Sequence, residues 1–199
     1  MEQKGTQKQE DRILVERVLG GNHRAFGVIV RNTQGLVAHI VFKMIPDPHD
    51  RNDIAQDIYL KVFQKLGSFR FQAKLSTWIA QIAYHTCLNY LQKKKSEWPV
   101  LNILPMADQA DEPSTEQYPD PDNLEDQLLE AEQMHIIRAE IETLPPQYKL
   151  LITLFHQQEL SYHEIGEIVD LPEGTIKSYL FRARKMLKDR LTTIYNKGL

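Results

Sequence analysis

Apolar residues recur at helical spacing along most of this chain, and glycine, proline and polar clusters interrupt them at a few defined places. Ile13, Val15, Val18 and Leu19 form a short amphipathic segment, closed by Gly20-Gly21-Asn22. His23 to Met44 predicts a longer helix, with Phe26, Ile29, Val30, Val37, Ile40, Val41 and Met44 on its apolar side. Pro46 to Asp50 reads as a loop. Asp53 to Leu66 is strongly periodic: Ile54, Ile58, Val62, Phe63 and Leu66 point inward, and Asp53, Gln56, Asp57, Lys61 and Gln64 point outward. Gly67 ends that helix. After a short loop, Ser76 or Thr77 is placed to cap a further helix with Trp78, Ile79, Ile82, Ala83, Cys87, Leu88 and Leu91 on its apolar side. Lys93-Lys94-Lys95 then complement the negative end of its dipole.

Beyond Lys95 the pattern changes. Ser96 to about Asp126 holds five prolines and many acids, the composition of a linker with little regular structure. Leu101, Ile103, Leu104 and Met106 form an apolar island within it. Leu128, Leu129, Met134, Ile137 and Ile141 mark a helix that stops at Leu144-Pro145-Pro146, and Tyr148 to Gln157 predicts another. Two short helices then meet at a tight turn. Ser161 and Glu164 have the S-x-x-E spacing of a capping box, followed by Ile165, Ile168 and Val169. Asp170-Leu-Pro-Glu-Gly174 interrupts the pattern, and Pro172 suits the first turn of a new helix. That helix runs from about Thr175 to Leu191, with Ile176, Leu180, Ala183 and Leu187 inside. No strand and no internal repeat emerges. The expected fold is all-α: helical domains at 1–95 and 127–199, joined by an acidic flexible linker at 96–126.

Charge sharpens this division. The net charge of −3 conceals segregation. From Phe69 to Lys95 every charged residue is basic, and from Ser96 to Gln133 there is no lysine or arginine. From Thr175 onward the chain is basic again. Such a split suits two nucleic-acid-facing modules separated by an acidic strap. Cys87 is the only cysteine, so no intrachain disulfide can form; it reads as a small core residue of a protein kept in a reducing cytoplasm. No apolar run is expected to span a bilayer, and the N-terminus has no signal-peptide character.

The last helix carries Lys177, Arg182, Arg184, Lys185, Lys188 and Arg190 mostly on its outside, with Asp189 the only acid among them. Cap, turn and one-sided charge together form the pattern of a helix-turn-helix, whose second helix enters the DNA major groove. A helical hairpin with a solvated basic face is the plainer alternative. Gly166 is placed where the two helices approach closely. The loop Gly67–Leu75 and the next helix interleave Phe69, Arg70, Phe71, Lys74 and Trp78. Cations for phosphates and rings for unstacked bases suit single-stranded DNA. Trp78 and Phe69 fit the core better, which leaves Arg70, Gln72 and Lys74 as contact residues.

In this order, the parts resemble a small bacterial sigma factor of the extracytoplasmic-function (ECF) type. The resemblance rests on DRNDIAQDIYLKVF at 50–63 and FRFQAKLSTWIAQIA at 69–83 for region 2. For region 4 it rests on LPPQY at 144–148, LPEGTIKS at 171–178 and Arg182-Ala-Arg184. It implies a promoter-specificity subunit that binds core RNA polymerase and promoter DNA, with an anti-sigma factor as a further partner. Asp53, Gln56, Asp57 and Lys61 would face a polymerase coiled coil that carries arginines, for which carboxylates are suited. Arg70, Gln72 and Lys74 would capture the −10 strand, and His85, Asn89, Gln92 and Lys93 would continue toward duplex DNA. Thr175, Lys177, Ser178, Arg182 and Lys185 would meet the −35 element. By composition alone the acidic linker is a solvated tether; the resemblance implies that part of it threads the polymerase's basic RNA path. His85, Asn89, Gln92, Tyr179 and Asp170 depart from common family residues, which puts promoter preference, not membership, in question.

The chain shows no phosphate-binding glycine loop and no nucleophile motif, so no enzyme, catalytic residue or cofactor is expected. His49, Asp50, Asp53 and Asp57 match no established metal-ligand spacing. The competing function is an autonomous helix-turn-helix repressor or activator, which would leave the acidic helix face and the aromatic–basic loop without a task.

Overall fold

The protein is described here by a computed structural model covering residues 2–94 and 134–197, with side chains over 8–94 and 134–194. The linker expectations, the apolar island at 101–106, and Leu128 and Leu129 lie outside these residues. Among the described residues all regular structure is helical. The first domain comprises α1 (Glu2–Leu19), α2 (His23–Met44), α3 (Pro48–Lys65) and α4 (Leu75–Lys94), with a 3-10 turn at Leu66–Ser68. The second comprises α5 (134–142), α6 (Pro146–Ile152) running into a wide turn at Thr153–Gln157, α7 (Tyr162–Val169) and α8 (Glu173–Lys197).

Local chemistry explains the boundaries. The Asn22 side chain accepts from the Arg24 and Ala25 backbone N–H groups at 3.1 and 3.3 Å, so α2 opens on an N-cap. Asp47 accepts from the His49 N–H at 3.0 Å and Pro48 occupies the first turn, so α3 begins at Pro48. The segment expected as a loop up to Asp50 is therefore helical from Pro48, and His49 and Asp50 lie in the first turn. At the helix-turn-helix the capping box is complete: Glu164 N–H donates to Ser161 Oγ at 3.2 Å, and Ser161 N–H donates to Glu164 Oε2 at 3.0 Å. Asp170 closes α7 in the left-handed conformation, φ 59° and ψ 50°, which Asp tolerates better than most residues. Pro172 stands just before α8, its carbonyl accepting from Ile176 N–H at 3.1 Å.

α2 packs on α1, α3 and α4, and α4 also packs on α3. Ile29, Val37, Ile40, Val41, Ile58, Val62, Leu66, Ile79, Ala83 and Cys87 fill the space between them. In the second domain α8 packs on α6 and α7 through Leu154, Ile165, Ile168, Ile176, Leu180 and Ala183. The two domains share one continuous apolar core, because α2 also meets α6 and α4 meets α7. α2 is long and apolar enough, by length and composition, to cross a membrane, which the sequence reading did not anticipate. Here it is a core helix with Ala25, Ile29, Thr33, Val37, Ile40, Val41 and Met44 buried.

Four residues depart from their expected burial, one of them Met134 at the start of α5, which is 51% exposed. Ile13 and Leu19 are exposed, because α1 buries Asp11, Val15 and Val18 at helical spacing instead. Phe63 is 40% exposed and lies at the surface edge-on to Phe26, with ring centroids 5.1 Å apart.

Gly166 is required, though not by the second helix. A Cβ built there would stand 2.7 Å from the Leu171 carbonyl oxygen, a backbone atom of the turn that cannot rotate away. Gly166→Ala is expected to destabilise the protein by about 1–3 kcal/mol through overpacking. At Gly174 nothing lies within 4 Å of the built Cβ, so Gly174→Ala should be neutral or slightly stabilising. Thermal melts of the two variants, followed by circular dichroism, check the contrast.

Candidate functional site

Three exposed faces carry the residues singled out by sequence. On α3, Asp53, Gln56 and Asp57 are exposed on one side of the helix. Lys61 is half-buried beside them and pairs with Asp57 at 2.6 Å, one turn away. Leu60 extends the same stripe and is 56% exposed. An exposed leucine beside acids is the part of this face that periodicity missed. Its signal was Leu60 falling off the Ile54–Ile58–Val62 spacing.

The second face is the loop from Phe69 to Lys74 and the outside of α4. Inward and outward residues alternate along the loop. Phe69 is buried against Phe71 and Trp78, with ring centroids 4.7 and 5.2 Å apart. Arg70, Gln72 and Lys74 are exposed. Trp78 is half-buried and belongs to the packing, as its position on the apolar side implies. On α4, His85 is half-buried, while Asn89, Gln92 and Lys93 are exposed. The C-terminal end of α4 is tied to the start of α3: Lys94 pairs with Asp50 at 2.7 Å, and the Tyr90 hydroxyl donates to the same carboxylate. The Lys94 ammonium, with the Tyr90 hydroxyl, holds the Asp50 carboxyl below its ordinary value. Asp50 is thus an anchor for α4.

The N-terminus of α4 is capped from a distance. Neither Ser76 nor Thr77 fills the expected role: both lie inside the helix, and Thr77 Oγ1 is buried without a hydrogen-bond partner. The buried carboxylate of Asp11 on α1 accepts from the Leu75 N–H at 3.0 Å. Sequence reasoning missed Asp11, although an acid at helical spacing with Val15 and Val18 was a readable signal of a buried carboxylate.

The third face is α8. Lys177 and Lys185 are exposed, and Thr175, Ser178 and Arg182 are half-buried. Lys177 Nζ lies 5.4 Å from the Tyr162 ring centroid, and Ser178 Oγ donates to the Gly174 carbonyl at 3.0 Å. Tyr179, one of the departures from family pattern, is buried edge-on against Tyr148. It is a core residue.

The second face meets α7, the first helix of the helix-turn-helix. Lys74 pairs with Glu164 of the capping box at 2.7 Å. A cleft of about 870 Å³ lies alongside, lined by Asp11, Phe71, Lys74, Phe155, Leu160 and Glu164 among others. Lys43 pairs with Glu142 across the other contact between the domains. Among the described residues no group of three or more histidine, cysteine or acidic side chains could hold a metal ion.

A chain with these faces on this helical frame matches two family descriptions, Sigma-70 region 2 over residues 29–97 and Sigma-70, region 4 over residues 134–187. It belongs to the sigma factors, the promoter-recognising subunits of RNA polymerase, and within them to the ECF type. It is 34% identical over 182 residues to the ECF RNA polymerase sigma-E factor of Haemophilus influenzae, covering 91% of this chain and 95% of that protein. The Escherichia coli K12 sigma-E factor is 33% identical over 183 residues, covering 91% and 94%. In fold, it resembles CnrH in complex with the cytosolic domain of CnrY, with a TM-score of 0.61 at 18% identity over 92% of this chain and 98% of that one. It also resembles the sigma factor RpoE of Bartonella quintana in complex with the anti-sigma factor NepR, with a TM-score of 0.59 at 22% identity over 84% and 96%.

Glu164 serves both the capping box and the contact between domains. Burial works against its charged form, but Lys74 and the Ser161 donors outweigh burial and hold the carboxyl at about 2, against an ordinary 4.5. A depressed carboxyl contributes stability that is present above the unfolded value and lost as pH falls through the folded one. The stability advantage over Glu164→Gln is expected to be constant above about pH 4.5 and to shrink toward pH 2. Paired thermal melts across that range check it.

Proposed function

We propose that this chain brings core RNA polymerase to promoters by dividing the work among its three faces. The α3 stripe Asp53, Gln56, Asp57, with Lys61 and the exposed Leu60, docks on the polymerase. Arg70, Gln72 and Lys74 engage the unpaired −10 strand, and His85, Asn89, Gln92 and Lys93 continue onto duplex DNA. Thr175, Lys177, Ser178, Arg182 and Lys185 meet the −35 element. Residues 1–95, 96–126 and 127–199 serve as the region 2 domain, linker and region 4 domain. The protein works in the cytoplasm without catalysing a reaction of its own, and a cognate anti-sigma factor restrains it. Of the solved structures reported above, one holds its sigma factor bound to an anti-sigma factor and the other holds CnrH bound to the cytosolic domain of CnrY, which supports that last element.

The observation that carries this function is the loop 69–74. Its outward residues are basic or amide-bearing, while Phe69 and Phe71 turn inward. A duplex-only repressor has no use for such a loop. Unpaired DNA does, because cations meet its phosphates and amides meet its exposed base edges. Lys74 must exchange the Glu164 carboxylate for a phosphate when it does so.

Two measurements test the scheme. Asp57→Arg reverses a charge on the polymerase-facing stripe. Because the Asp57–Lys61 pair is a surface pair, the fold should lose no more than about 1 kcal/mol. Affinity for core polymerase, read by interferometry, should fall at least about tenfold; unchanged affinity would remove this face from the interface. On the DNA side, Lys177→Ala and Arg182→Ala should each weaken holoenzyme binding to −35 duplex. Each should also reduce the slope of log affinity against log salt by about one, the signature of a lost phosphate contact. A slope unchanged by both substitutions would place DNA elsewhere on the protein.

A further inference from the structure

Asp11 and Arg12 sit on α1, far in sequence from every residue assigned to promoter contact. Both nevertheless grip the loop between Phe69 and Leu75. Asp11 is 8% exposed, and its Oδ2 accepts from the Leu75 N–H at 3.0 Å across 64 positions of sequence. That N–H is among the first, otherwise unpaired donors of α4, where the helix dipole also favours an anion. Arg12 lies over the Phe71 ring at 5.2 Å. Phe71 has φ 57°, a left-handed conformation that is unusual for a bulky side chain and persists only where surrounding contacts hold it. Phe69 supplies the other contact, with its ring centroid 4.7 Å away.

The loop is thus held at two inward points, Phe71 by Arg12 and Leu75 by Asp11. The residues between and beside these points, Arg70, Gln72 and Lys74, are the exposed ones. No side chain at the start of α4 takes over the capping role, since Ser76 and Thr77 lie within the helix and Thr77 Oγ1 has no partner. We infer that Asp11 is a positioning residue for −10 recognition: by capping α4 from α1, it fixes the direction in which the loop presents Arg70, Gln72 and Lys74 to the unpaired strand. The inference rests on the −10 role proposed above. A capping loss is local, so its effect should fall on strand capture rather than on the distant α3 and α8 faces.

The test uses the full chain, core polymerase, and a promoter that the unsubstituted holoenzyme selects from a genomic library. Asp11→Leu removes the acceptor, and Asp11→Asn keeps an oxygen in its place. Three quantities are read below the melting temperature of every variant. They are affinity for core polymerase, holoenzyme affinity for −35 duplex, and holoenzyme affinity for the −10 non-template oligonucleotide and its base-substituted counterparts. Asp11→Leu should lose about tenfold on the −10 strand, the scale of a lost cap. It should also lose most of its discrimination between bases, with the other two affinities held within about twofold. Asp11→Asn should stay near the parent on all three. Should Asp11→Leu not fold, Asp11→Glu, which keeps the charge but displaces the oxygen, is measured instead and should show the same selective loss. The inference is overturned if the −10 affinity of the acceptor-less or displaced variant is unchanged. It is also overturned if Asp11→Asn fails as badly, or if all three affinities fall together, as they would for a residue serving the fold alone. If the unsubstituted chain selects no promoter, the proposed function itself falls, and this inference with it.

Discussion

Burial of α4 along more than one side is the constraint from which the rest of the arrangement follows. Leu75, Thr77, Ile79, Ala80, Ala83, Tyr84, Thr86, Cys87 and Leu91 are all buried, against α2 and α3 and against α7. A helix enclosed in this way cannot adjust its axis without opening two packed surfaces at once. What remains for chemistry is the loop at its N-terminus and a narrow strip ending in Gln92 and Lys93. At about 1.5 Å per residue, the loop and the far end of that strip are held roughly 30 Å apart by one rigid rod. The Asp11 cap fixes one end of that rod, and the Asp50–Tyr90–Lys94 cluster fixes the other.

Much of this was legible in the sequence, for a physical reason. α2 and the capping box announce themselves through side chains a few positions apart, and periodicity reports such short-range order well. The same holds for the sides of α3 and α8, where Asp53, Gln56, Asp57 and Lys177 emerged on the surface as expected. What the sequence hid was contact at long range. Nothing near Leu75 says that its N–H is capped from residue 11, and nothing in the loop says that Lys74 will pair with Glu164, ninety positions on. Local reasoning chose Ser76 or Thr77 because they were near. The burial of Tyr179 was hidden for a related reason: on an otherwise basic helix its place in the packing depends on Tyr148, thirty-one positions away.

The contact between the domains concentrates several duties on few groups. Glu164 receives the Ser161 backbone N–H and Ser161 hydroxyl as well as the Lys74 ammonium. The helix start of one domain and the Phe69–Lys74 loop of the other are thereby electrostatically coupled. Elsewhere along the same contact, Tyr84, Leu88 and Leu91 of α4 face Pro146 and Leu150 across a small crevice. Any ligand that requires a different disposition of the domains must supply the free energy of this contact, and one that fits the present disposition is favoured by it.

Cys87 of α4 is fully buried, and burial pushes its thiol up to about 12. The thiolate that would react with oxidants or electrophiles is therefore nearly absent at neutral pH, and no reagent can reach the sulfur in the closed molecule. As the sole thiol in the chain, it acts as an internal clock. Its rate of modification counts the moments when the first domain opens, and says nothing about the exposed loops and charged faces.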